Sequence, residues 1–289
     1  MNRTWPVAVV LLAWTTTIGT TGITGITGVT LRAQSRPLPT EAPEGIGAGN
    51  VLVGTATDYT RDERFSLSGL SGNLWRVGLM RLVFGISDIA DFELTGGLRD
   101  HLSITASTPA PLSNLLQLTD PTSTGAFDDI IVATKIRVLA EESSHPAVGF
   151  RFGTRLPNAK HPSGLGQNTT DAYGLVTIGQ AIGAARFVAN AGLGILGDPL
   201  QANRHVSSFL YGATITSPRG TDYAIVIGVD GRTGPAEPGL ESRSTARAGV
   251  MWKRGPARLE VDGTWGLTRL DGNVGVAASA AYVFHAFTP

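Results

Sequence analysis

The chain is a succession of short runs in which apolar and polar side chains alternate. The clearest lies between Asp128 and Asn158. In its first half Ile130, Val132, Thr134, Ile136 and Val138 share one parity, and Ile131, Ala133, Lys135 and Arg137 share the other. In its second half Val148, Phe150, Phe152, Thr154 and Leu156 alternate with Gly149, Arg151, Gly153 and Arg155. Successive side chains of a strand point to opposite faces, so each run predicts one oily face and one wet face. Glu141 to Pro146 is too short and too polar for a crossover, which predicts an antiparallel hairpin. A turn centred near residue 143 sets Lys135 opposite Arg151 and Ile131 opposite Arg155.

About a dozen such runs are present, and almost no helical period. They cover 51–59, 74–85, 91–99, 129–139, 147–157, 171–180, 185–196, 205–217, 222–233, 244–254, 257–268 and 274–287. Ala257 to Thr268 is a second clear case: Leu259, Val261, Trp265 and Leu267 oppose Glu260, Asp262, Thr264 and Thr268. Phe92, Leu94 and Leu98 oppose Glu93, Thr95 and Arg99. One run is irregular. Arg76 and Arg81 have opposite parity, so one of them belongs near a rim or a bulge.

Most runs are about 10 residues long, the length a tilted strand needs to cross a bilayer. Short connections (87–91, 141–146, 180–184, 217–222, 253–257) alternate with longer ones (60–73, 100–127, 157–170, 197–204, 231–243); the last, 269–273, is short and breaks the pattern. Long loops at one end and short turns at the other are the mark of an outer-membrane barrel. A sheet can cross hydrocarbon only if it closes and pairs its own backbone. A soluble sandwich in the periplasm gives the same alternation, so periodicity does not separate the two; strand length and loop alternation do. The fold expected is all-β: an antiparallel up-and-down transmembrane β-barrel of about 12 strands over 50–287.

Composition adds to this. Charged residues are 16% of the chain, against about a quarter in soluble domains. Lysine plus arginine equals aspartate plus glutamate at 23 each, so no basic field calls for nucleic acid. With no cysteine there is neither a disulfide framework nor a thiolate metal site. At the N-terminus Arg3 precedes an apolar core, Val7 to Trp14, and Ala33 is a small residue suited to a cleavage site. This order predicts a signal peptide over 1–33. Its removal takes away Arg3 and Arg32 and no acid, leaving a formal charge of −2. The Pro- and Gly-rich stretch 34–49 reads as a flexible leader. The expected location is the outer membrane, with outer-membrane lipid, the barrel-assembly machinery and a small-molecule solute as partners.

The segments FGISDIADFEL (84–94), DDIIVATKIRV (128–138), AVGFRFGTRLPN (147–158) and AGLGILGD (191–198), in that order, resemble the outer-membrane proteins grouped with the MetA pathway of phenol degradation. The resemblance covers roughly 50–287. It implies an outer-membrane transporter that passes or binds small, aromatic molecules, and it transfers no catalytic residues; the channel reading itself extends to anionic solutes. The C-terminal strand is similar to the recognition end of such barrels, although Thr288 and Pro289 follow Phe287.

Inside a barrel the wet faces become the lumen. Lys135, Arg137, Arg151 and Arg155 then form a lumen-lining basic strip, and Glu93, Asp230, Glu260 and Asp262 are the acids expected to offset it. Arg247 and Asp262 are placed to pair. The strip either biases a solute path or fills a salt-bridged interior. The apolar cluster Leu112, Leu115, Leu116 and Leu118 in the longest connection is a candidate inward-folding constriction, or else an ordinary packed loop. Gly192 to Gly197 matches the dinucleotide pattern but lies in a strand-like run with no helix after it. The five histidines stand singly, without zinc spacing or a convincing serine partner. No cofactor, metal or catalytic residue is expected. The reading is a passive channel or transporter; the alternative is a plugged barrel acting as an anchor or a loop-mediated binding protein.

Overall fold

The structure is a computed structural model and describes residues 38–288. The expected signal peptide, 1–33, lies outside them. Twelve long strands form one closed sheet: β1 (Asn50–Phe65), β2 (Leu70–Gly85), β3 (Ala90–Ser107), β5 (Ile130–Leu139), β6 (Ala147–Leu156), β7 (Asp171–Ile182), β8 (Ala185–Gly197), β9 (His205–Arg219), β10 (Tyr223–Arg232), β11 (Arg243–Arg254), β12 (Ala257–Gly266) and β13 (Val274–His285). A short strand, β4 (Ser123–Ala126), pairs with the outer part of β3. Every barrel strand is antiparallel to its sequence neighbours, and β1 pairs with β13 to close the ring. Lys135 stands opposite Arg151 and Ile131 opposite Arg155, as the hairpin turn requires.

The orientation of the faces separates a membrane barrel from a sandwich. Phe150 and Phe152, Leu259 and Val261, Ile225 and Ile227 all point outward and are exposed, while Arg151, Glu260, Arg247 and Lys135 are buried inside. A soluble protein buries the first set and exposes the second. An apolar exterior around a charged interior fits hydrocarbon.

The first three strands are longer than expected, with 16, 16 and 18 residues. Stretches 60–65, 70–73 and 100–107, read from sequence as loop, continue the pairing beyond the barrel wall. The pairing there passes through an irregularity between Thr60 and Glu63, with Asp62 at positive φ, which breaks the alternation that sequence reading relies on. Parity also shifts inside β3 around Gly96 and Gly97, so that Asp100 turns inward while Arg99 is exposed. This corrects the expectation that Arg99 shares a face with Glu93.

The parity conflict of Arg76 and Arg81 has a local cause. In the β1–β2 register Ala56 faces Leu79 but Thr57 faces Val77, so Gly78 is an extra residue. Its φ of +69° is the left-handed value that glycine adopts without strain. The bulge resets the alternation, and both arginines reach the interior. A Cβ at Gly78 would also come within 2.8 Å of the Leu98 side chain. Gly78→Val should therefore destabilise the folded barrel by about 1–3 kcal/mol. Urea titration followed by the mobility of the unheated gel band measures this; an unshifted midpoint would show that the bulge tolerates a side chain.

Candidate functional site

The lumen is occupied by part of the chain itself. The stretch expected as a flexible leader runs, from residue 38 to 49, through the barrel without joining its sheet. Thr40, Glu41, Ala42 and Ile46 are buried. The reason is side-chain complementarity. The Thr40 N–H and hydroxyl both donate to Asp230 Oδ1 on β10, at 2.6 and 2.5 Å. Glu41 accepts two hydrogen bonds from Arg81 on β2, at 2.6 and 3.0 Å. Glu44 meets Arg186 on β8. The Ile46 N–H donates to Asp91 on β3 at 3.2 Å. Leu38 packs on the apolar patch of Ile131, Ala133, Tyr173, Leu175 and Leu210. Gly149, Gly179 and Gly212 on the wall leave the space: a Cβ on them would come within 3.2, 3.0 and 2.3 Å of Pro43, Pro43 and Thr40.

Beside this segment Glu93 is the hub. It has Arg151 at 2.9 Å, Arg81 at 3.4 Å and Lys135 at 3.9 Å, and Lys135 also reaches Asp91 at 3.4 Å. The Arg151 guanidinium lies 5.5 Å from the centre of the Tyr173 ring. On the opposite wall Arg247 lies 3.6 Å from Glu260 and 3.9 Å from Asp230. Toward the long loops Arg155 joins Asp129 and Asp171, at 2.9 and 2.5 Å. Arg243 joins Glu63 at 3.0 Å and Asp271 at 3.5 Å. Arg76 pairs with Asp58 at 3.0 Å.

At this long-loop end lies a small recess of about 50 Å³. Asp100, Asp128, Asp129, Arg155, Arg232 and Arg243 supply its polar lining, and Phe65, Leu67, Ala159 and Leu165 its apolar lining.

The structure thus distributes the basic strip over separate partners. Lys135 and Arg151 belong to the Glu93 hub, and Arg155 to the outer cluster. Arg137 sits at the short-turn rim, where it donates to the Asp88 carbonyl at 3.3 Å. Glu93, Asp230, Glu260 and Asp262 are all buried. Arg247 lies near Glu260 and Asp230, and Asp262, expected to pair with it, lies across from Gly249 in the β11–β12 register. None of Leu112, Leu115, Leu116 and Leu118 lines the recess. Leu116 and Leu118 pack on Leu70, Leu74, Leu102 and Leu165, and Leu115 is exposed. Sequence reading missed Glu41, Glu44, Asp91, Asp129, Asp171 and Arg186. The glycines among the wet-face charges were the available signal for a buried segment.

A closed sheet, an oily exterior and a charged interior define an outer-membrane β-barrel. No protein-family model and no curated protein matches the chain. Solved structures do. An outer membrane channel from Pseudomonas putida F1 superposes with a TM-score of 0.60 over 83% of this chain and 97% of its own, at 13% identity. The translocator domain of the autotransporter NalP from Neisseria meningitidis gives 0.46 over 82% and 89%, also at 13% identity. The monoaromatic hydrocarbon channel CymD gives 0.40 over 84% and 90%, at 8% identity. At these identities the likeness is one of fold.

Two predictions follow from the charges. Glu93→Gln leaves three cations without their shared acid. Removing one partner of a buried pair costs about 3–5 kcal/mol. The double variant Glu93→Gln/Arg151→Met should recover part of that loss in urea titration; equal losses would mean that Arg151 and Glu93 are not coupled. In the outer loops Arg204 bridges Asp198 at 2.8 Å and Glu237 at 2.5 Å. Asp198 is held below the usual carboxylate range by the Leu200 N–H and by Arg204, and Glu237 by its bond from Arg204. Folded values below unfolded ones mean that this contact stabilises the loop above about pH 4 and is lost as pH falls through the lowered values. Hydrogen exchange of 198–204, corrected for intrinsic rates, should be slower at about pH 6 than at about pH 3. Equal protection at both would exclude the bridge as the loop's fastener.

Proposed function

We propose that this outer-membrane barrel is a passive channel for small solutes, aromatic or anionic ones included, that cross through its polar lumen. The observation that carries this reading is that part of what fills the lumen is a separate segment, 38–49, and not the wall itself. That segment adds no strand to the sheet, and its hold on the wall is a set of hydrogen bonds and ion pairs with apolar packing of Leu38 and Ile46. Its removal leaves the ring of strand pairing whole. The sequence motifs at 84–94, 128–138, 147–158 and 191–198 support a place among the MetA-pathway phenol-degradation transporters. The likeness to solved channels supports the same class at the level of fold. In this reading the chain carries out no chemistry, and the barrel-assembly machinery inserts it.

A second reading, a plugged barrel that serves as an anchor, is favoured by the density of buried ion pairs around Glu93 and Arg155. Planar-bilayer recording separates the two. The refolded wild-type barrel should show small conductance steps, and deletion of 38–44 should enlarge them several-fold. Bilayers that stay sealed with both proteins at high load would establish the anchor and end the channel reading.

A further inference from the structure

Three arginines line the external recess, and two of them are saturated. Arg155 is spread over Asp129, Asp171 and Gln167. Arg243 is spread over Glu63 and the carbonyls of Leu270 and Arg64. Arg232, at the outer end of β10, differs. Its Nε donates to the Glu241 carbonyl at 3.3 Å and its Nη2 to the Gly239 carbonyl at 3.2 Å. The Gly239 carbonyl is shared with the Gln167 side chain at 2.8 Å, which fixes this part of the wall. Among the described residues no carboxylate lies within 4.0 Å of the Arg232 guanidinium, and residues 1–37 contain no aspartate or glutamate. Among the recess-lining guanidiniums it is the one whose hydrogen bonds go to backbone carbonyls and to no carboxylate.

The rest of the lining narrows what could complete it. Phe65, Leu67 and Leu165 offer an apolar surface. Asp100, Asp128 and Asp129 line the same recess, and the Asp100 Oδ1 is buried without a hydrogen-bond partner. These carboxylates repel a second negative charge, which disfavours phosphate and dicarboxylates. We propose that the recess is a binding site for a monocarboxylate with an apolar body. The carboxylate docks on Arg232 through charge-assisted hydrogen bonds, and the body lies against Phe65, Leu67 and Leu165. This deepens the channel reading, on which it rests for its role as the first station of a solute path.

Benzoate is the probe, with benzamide as its uncharged isostere. Calorimetry on the refolded full-length barrel in detergent should show benzoate binding at least about tenfold more tightly than benzamide, the effect of one charge-assisted contact. Arg232→Gln should remove that preference, and Arg232→Lys should keep part of it. Equal affinities of the wild type for the two ligands would overturn the proposal, as would an undiminished benzoate preference in Arg232→Gln. The wild-type comparison decides the matter even if a variant fails to fold. Benzoate binding with sealed bilayers would reject the channel while leaving the site; conductance with no benzoate preference would reject the site alone.

Discussion

The pairing of the first long strand with the last is the contact on which the molecule depends. Asn50 faces His285, and the register runs without a break to Thr60 facing Gly275. Left apart, β1 and β13 would present rows of unpaired N–H and C=O groups to hydrocarbon, each costing several kcal/mol. Closure removes those edges and creates an inside that lipid does not reach. Only then can Arg76, Arg247 and Glu93 be fully enclosed, since what each faces is an oppositely charged lumen side chain and not acyl chain.

Closure also forces a charge balance on the interior. Lys135 and Arg151 stand directly opposite across a strand pair, an arrangement that is unfavourable alone. Glu93 answers it by reaching both, with Arg81 as a third partner. The wall does not supply all the acid needed. Glu41 and Glu44 arrive on the inserted segment and meet Arg81 and Arg186. That segment is therefore part of the electrostatic structure of the barrel, and the glycines on the wall are the space made for it.

The alternation of residues carried the twelve barrel strands, though not the full length of the first three, because period 2 is imposed at every position where one face meets lipid. The oily and wet faces of 130–139, 147–156 and 257–266 could be read directly, and so could the membership of Lys135, Arg151, Glu93 and Glu260 in the interior. What stayed hidden had no period. Residues 38–49 are irregular, and their contacts lie far away in sequence, as with Thr40 and Asp230, 190 positions apart. Pairing partners were hidden for the same reason: Arg247 comes near Glu260 and Asp230 by side-chain reach, which register alone does not give. The long ribbon above β2 and β3 was hidden because outside the membrane nothing forces one face to be apolar. The irregular Arg76 and Arg81 were a true signal of the Gly78 bulge, legible as a conflict but not as a position.

The inserted segment also has a consequence for the order of assembly. It precedes every described strand, yet its partners sit on β2, β3, β8 and β10. No early part of the barrel holds all of them. The binding positions for residues 40–46 exist together only when the sheet has grown past β10, so a piece of chain made before the wall must wait for the wall. Loop-closure cost rises with such separations. The interior of this barrel is thus finished late, by its earliest described residues.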